Sequence, residues 1–191
     1  MNNSKELVFK FEKLGIRKIS NGAILIGKAP HIAPEAWLNE LYPTLNEVDI
    51  AELESELNKK IPIVYKNFLI EFSNGLSILN ATFSLDGLRG NYDRTTDGSR
   101  QPFSLITPNI YERPKNAKSN FFFIGGYNWD GSHLYIDTET NFVHYCKRWD
   151  ATSLYQWSSF DEMLYSEIER IYKLFDEEGK EINEDVTTTP I

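Results

Sequence analysis

An α+β arrangement follows from three observations along this 191-residue chain. Apolar residues recur at helical spacing on both sides of a break near residue 60. From residue 79 the pattern turns to short runs of aromatic and β-branched residues, and a last amphipathic helix closes the sequence.

Residues 4–13 can form a short first helix, followed by Gly15, an alternating stretch from Ile16 to Ile26 and a proline-flanked segment from Ala29 to Pro34. Asn46 is placed to cap a second helix, with Glu47 and Asp49 in its first turn where carboxylates favour the positive end of the helix dipole. Ile50, Leu53 and Leu57 then form one narrow apolar stripe, and Asp49, Glu52, Glu56 and Lys59 form the exposed face. Ile61-Pro62 restarts the chain, since proline is tolerated at a helix start, and Tyr65, Phe68, Leu69 and Phe72 share a face until Asn74-Gly75 stops it. The two helices make an αα-hairpin.

Strands are expected near 80–85, 121–125, 132–137 and 142–147. The last two flank the polar turn Thr138-Glu139-Thr140-Asn141 and should pair antiparallel. Residues 87–118 hold Gly, Asp, Arg, Pro and Asn without sustained periodicity and read as a long loop with at most one short element, a length that favours binding. Ser159 and Glu162 form a capping box for a final helix running to about Phe175 and stopping near Gly179. Its apolar face is Phe160, Met163, Leu164, Ile168, Ile171, Leu174 and Phe175. Glu167 projects into the middle of that arc, either as half of a structural pair or as a carboxylate opening into a groove. The expected organisation is an N-terminal extension over 1–36 packed on the domain, an α+β domain over 37–179, and a polar tail over 180–191 that frays.

Composition narrows the function classes. A chain of this length buries roughly 70% of its unfolded surface and needs no disulfide or metal staple; its single cysteine, Cys146, has no partner within the chain. No apolar run approaches the ~20 residues of a membrane span, and the first residues lack the apolar core of a secretory signal, so a reducing cytoplasm and no membrane contact are expected. Acidic side chains outnumber basic ones 28 to 20, for a formal charge of −8, with −5 on residues 33–60 and −7 on residues 161–185. Such segments repel phosphate backbones, so nucleic acid is disfavoured as a partner. They suit a basic protein, or are simply a solvated helix face.

Motifs for chemistry are scarce. His31, His133 and His144 stand in no zinc pattern. Asp93, Thr95, Asp97 and Gly98 echo the start of a calcium loop, but Ser104 holds the twelfth position where a bidentate glutamate belongs. Gly125-Gly126 with Asn128, Asp130 and Gly131 lacks any phosphate-loop signature and reads as a tight turn between strands. His144 and Cys146 share a strand face and could pair as imidazole and thiolate beside Asp130 or Asp137, although a lone cysteine is more often a small buried hydrophobe. Neither a metal, nor a cofactor, nor a catalytic residue is expected.

The order of motifs resembles the SUKH superfamily: Leu53-Glu54, Leu57, Ile61-Pro62, Tyr65-Lys66-Asn67-Phe68-Leu69, Asn74-Gly75, then Phe122-Phe123-Ile124-Gly125, Asp130-Gly131, Tyr135-Ile136-Asp137 and Ser159-Phe160-Asp161-Glu162. Trp37 is similar to an aromatic often found ahead of the first helix. The resemblance covers roughly residues 37–175. It implies an α+β domain with a mainly antiparallel, curved sheet packed by the N-terminal αα-hairpin and the C-terminal helix. It also implies a non-catalytic immunity protein that neutralises a polymorphic or contact-delivered bacterial toxin, many of which are nucleases; eukaryotic relatives act in cell-wall-synthesis signalling.

An acidic inhibitor of a basic toxin domain would gain on-rate from steering. The expected partner-binding residues are therefore Asp49, Glu52 and Glu56 on the helix and Tyr92, Asp93 and Asp97 in the loop. A regulatory or scaffolding interaction module is the alternative from a second class, and an enzyme using Cys146 and His144 that from a third.

Overall fold

Short apolar runs separated by turn residues can only return to their neighbours, and the fold is built that way. The computed structural model describes residues 2–92 and 94–191. Among these, nine strands form one curved sheet that is not closed: β1 (Ile16–Lys18), β2 (Ile24–Lys28), β3 (Trp37–Leu41), β4 (Leu76–Ile78), β5 (Phe83–Leu85), β6 (Phe121–Tyr127), β7 (His133–Asp137), β8 (Val143–Lys147) and β9 (Asp150–Trp157). Their order in space is their order in sequence, and each pairs antiparallel with the next. The helices are α1 (Asn2–Val8), α2 (Glu47–Leu57), α3 (Ile63–Glu71) and α4 (Phe160–Tyr172).

All four helices contribute to a single core on one face of the sheet. Val8, Ile50, Leu53, Leu57, Tyr65, Phe68 and Ile168 pack there against Ile26, Phe83, Leu85, Phe122, Ile124, Leu134 and Val143, and each side chain is nearly free of solvent. Burying a side chain of this size contributes roughly 1.5–3 kcal/mol. The αα-hairpin is set by its ends. Asn46 accepts from the amides of Val48 and Asp49, Asp49 returns the bond to the Asn46 amide, and Asn58 closes α2 in the left-handed region. Tyr65 then ties α3 to the sheet, its hydroxyl donating to the carbonyls of Asp86 and Ile124.

Three differences from the sequence reading have physical causes, and of the two readings of Glu167 one is decided. The expected strand at 80–85 is β5 alone, preceded by β4 and a turn in which Leu79, Asn80 and Ala81 all adopt positive φ. Gly125 and Gly126 lie inside β6 and not in a turn. The register shifts between Phe123 and Gly125, and a Cβ on Gly126 would stand 1.9 Å from the Ser132 carbonyl oxygen. Glu167 is 3% exposed and is the structural pair: the Tyr127 hydroxyl donates to it at 2.7 Å and the Arg170 guanidinium at 2.7 and 3.1 Å. The segment expected to fray turns back on α4, because Arg170 also donates to the Thr188 carbonyl at 2.7 Å, and Thr188 and Thr189 are buried.

Candidate functional site

The face of the sheet turned away from the helices carries a row of paired residues running Leu25, Glu40, Ser77, Ser84, Gly126, His133, Cys146. Its centre is made of small side chains, so whatever covers it comes close to the backbone. What covers it is the segment 87–118. Arg100 pairs with the buried Glu40 and donates to the Glu35 carbonyl, while Asn21 donates to the carbonyls of Asp97 and Arg100. Burial raises the Glu40 pKa and the Arg100 guanidinium opposes that rise. Asn74 exchanges two hydrogen bonds with the backbone of Leu88, and Asn109 bridges Leu105 and Phe123 from a five-residue π-helical turn, Thr107–Tyr111. The long segment is thus held by side-chain amides.

Among the described residues two cavities lie under it. One, of about 340 Å³, lies between residues 42–45, the start of α2 and residues 88–102, and Asp49, Asn74, Arg100 and Gln101 line it. Of the residues expected from the sequence, Asp49 sits here half-buried with its carboxylate engaged in the helix cap, so it is not part of an open acidic face. Glu52 and Glu56 are exposed along α2. Tyr92 is 76% exposed with the Arg89 guanidinium 5.1 Å from its ring centre. Asp97 is 3.4 Å from Arg17. Asp93 lies outside the described residues. The structure therefore brings Asp49 and the loop together and leaves Glu52 and Glu56 farther along the helix.

The second cavity, of about 300 Å³, was not anticipated. Ser84, Asp86, Gly126, Ser132, His133 and Arg148 line it from the sheet side, and Phe103, Thr107 and Glu112 from the covering segment. Asp86 is 7% exposed; burial alone pushes its carboxyl up from 3.8 to about 7. The Ser132 hydroxyl and His133 Nε2 are buried and make no hydrogen bond among the described residues. Burial and the Arg148 charge both lower the His133 pKa. Four aromatics in this part of the chain are exposed: Phe103 (55%), Tyr111 (79%), Trp129 (53%) and Trp149 (62%). Phe103 lines the cavity, and the other three adjoin lining residues in sequence. Arg148 lies 4.9 Å from the Trp149 ring centre and 2.8 Å from Glu112. The available sequence signal was two tryptophans placed in the polar turns after β6 and β8, where core packing gives no reason for them.

Reactive chemistry finds little support in this geometry. Ser132 and His133 do not bond to each other, so they form no nucleophile–base relay. Cys146 is fully buried among Phe121, Phe123, Tyr135 and Ala151, its thiol pushed up to about 12. His144 shares a 2.8 Å hydrogen bond with Ser153 and stacks on Tyr135. Among the described residues no group of three or more His, Cys, Asp or Glu side chains could hold a metal ion, and no helix is long and apolar enough to cross a membrane.

A model of the SMI1 / KNR4 family (SUKH-1) matches residues 44–166, well over half of the chain. The chain belongs to this family. The matched span runs from the cap of α2 into α4 and contains the αα-hairpin, strands β4–β9 and every residue lining the second cavity. Strands β1–β3 precede it and continue the same sheet on its N-terminal side. No curated protein matches the chain.

Proposed function

We propose that this SUKH-1 protein is an immunity protein that binds a cognate bacterial toxin domain, basic and most simply a nuclease, and neutralises it without catalysis in the cytoplasm. The observation that carries the proposal is the family match over residues 44–166. Supporting it are the exposed aromatics Tyr111, Trp129 and Trp149, since tryptophan, tyrosine and arginine supply most hot-spot energy at protein interfaces. The exposed acids Glu52 and Glu56 would speed encounter with a basic domain by long-range attraction, an effect that weakens with salt.

The experiment is co-purification of the tagged protein from its native host at low and moderate salt. A stoichiometric toxin domain whose capture weakens as salt rises is the expected result. Capture of a housekeeping complex instead would favour a regulatory module of the kind acting in cell-wall synthesis, and the immunity proposal would fail. With a toxin in hand, alanine at both Glu52 and Glu56 should lower the association rate and flatten its salt dependence; unchanged rates would remove the steering role.

A further inference from the structure

We infer, resting on the protein-binding reading above, that the second cavity is the seat of a lysine or arginine side chain from the partner, its cation set against Asp86 and its stem passing Phe103. Three acceptor-capable groups line this one space: the Asp86 carboxylate, the Ser132 hydroxyl oxygen and His133 Nε2. Asp86 is 7% exposed and its carboxylate is the anionic group of this lining that no cation neutralises, so an N–H-bearing cation entering the cavity would pair with it, with Ser132 and His133 adjoining.

The charges around the cavity agree. Glu112 and Arg148 neutralise each other at 2.8 Å. Asp130, whose carboxylate accepts from the Ser132 amide, adds a further negative charge beside His133. His133 is held toward its neutral form by burial and by Arg148, so it does not compete as the cation. Tyr65 contributes its hydroxyl to the Asp86 carbonyl and carries no charge at neutral pH, because burial holds its pKa far up. An inorganic anion would meet the Asp86 carboxylate, and a metal ion would find Glu112 already paired with Arg148 and no group of three or more His, Cys, Asp or Glu side chains among the described residues. The Asp86 backbone is fixed at both ends, its amide donating to the Ile124 carbonyl and its carbonyl accepting from Tyr65, so the carboxyl is positioned before any partner arrives. Phe103, which lines the cavity and is exposed, offers an apolar wall to the stem of a protein side chain.

The test uses the whole protein with two probes, n-butylammonium and the uncharged n-pentanol, followed through backbone amide NMR shifts. Butylammonium should give saturable shifts at Gly126, Ser132 and His133, at least about tenfold tighter than pentanol. Binding should tighten as pH is raised from about 5.5 to about 8, since Asp86 must ionise. Asp86→Asn should abolish the difference between the probes. Should that variant fold poorly, Ser132→Ala serves instead and should weaken butylammonium several-fold with the pentanol response unchanged. Equal responses to the two probes, or tight butylammonium binding by Asp86→Asn, would overturn the inference. Because no toxin is used, a negative result leaves the immunity reading standing. A positive one alongside a non-toxin partner in the co-purification moves the same seat to that partner.

Discussion

Replacing Asp86 with asparagine keeps the shape of the side chain and removes its titration, which isolates the cost of burying an unneutralised carboxylate. In the native protein the group titrates near 7, against 3.8 when unperturbed, with burial as the cause. Between those values the folded state holds a proton that the unfolded state has released, so the folded state binds more protons and stability falls as pH rises. The contribution is fully present below about pH 4 and is lost as pH passes through about 7. A gap of about three pH units at 1.36 kcal/mol each amounts to about 4 kcal/mol, a large share of the 5–15 kcal/mol that holds a typical domain together.

Urea denaturation of wild type and Asp86→Asn, each at pH values from about 4 to about 8, reads this directly. The variant should gain about 3–4 kcal/mol on wild type across that range, or roughly 8–15 °C in Tm for a chain of this size. A difference between the two proteins that stays within about 1 kcal/mol from acid to alkaline pH would show that the carboxylate is solvated in the native state. The reasoning from burial would then be refuted.

The Glu167 cluster, Tyr127 and Arg170 included, anchors α4 to β6 and to the returning C-terminal segment; Glu167→Ala should cost about 3 kcal/mol by calorimetry, and a loss under about 1 kcal/mol would mean that water already shares the site. Cys146 should resist iodoacetamide in the native protein and react once urea unfolds it, because burial keeps the thiol protonated; native labelling, read by mass spectrometry, would contradict the packing described. Trp129→Ala combined with Trp149→Ala should leave stability within about 0.5 kcal/mol yet weaken a captured partner at least about tenfold in calorimetric titration, and intact affinity would place the interface elsewhere.

How much of this was legible in the sequence depended on whether one face of an element is wet. The αα-hairpin was readable because Asn46, the 50/53/57 stripe, Pro62 and Gly75 all agree, and Gly75 does take positive φ. Strands β7 and β8 were readable because they alternate across a hairpin. Strand β3 was not: all five of its residues are buried, since helices cover one face and the 87–118 segment, through Arg100 and Glu40, covers the other. Strand β9 failed for the opposite reason, being exposed along most of its length at the sheet edge. Glu167 was flagged by its place in an apolar arc, and Arg170 lies three residues on; Tyr127 comes from a strand forty residues away and follows no local rule. The Asp86 cavity is assembled from separate stretches between Ala81 and Arg148, so only the folded chain displays it.

A sheet whose neighbours in space are neighbours in sequence asks little of its connections: each must only deliver the chain to the next position. Here the two long connections have separate duties. Residues 42–75 supply helices to the core, whereas residues 86–120 roof the opposite face and reach inward mainly at Leu105 and Asn109. Stretches such as 94–99 can therefore lengthen, shorten or be rewritten with little strain on the hydrophobic interior, provided Arg100 stays on the buried Glu40, because closing a longer surface loop costs only a fraction of a kcal/mol per few residues. On the binding reading proposed above, such a protein would be retargeted through one segment, exchanging what it recognises while keeping how it folds.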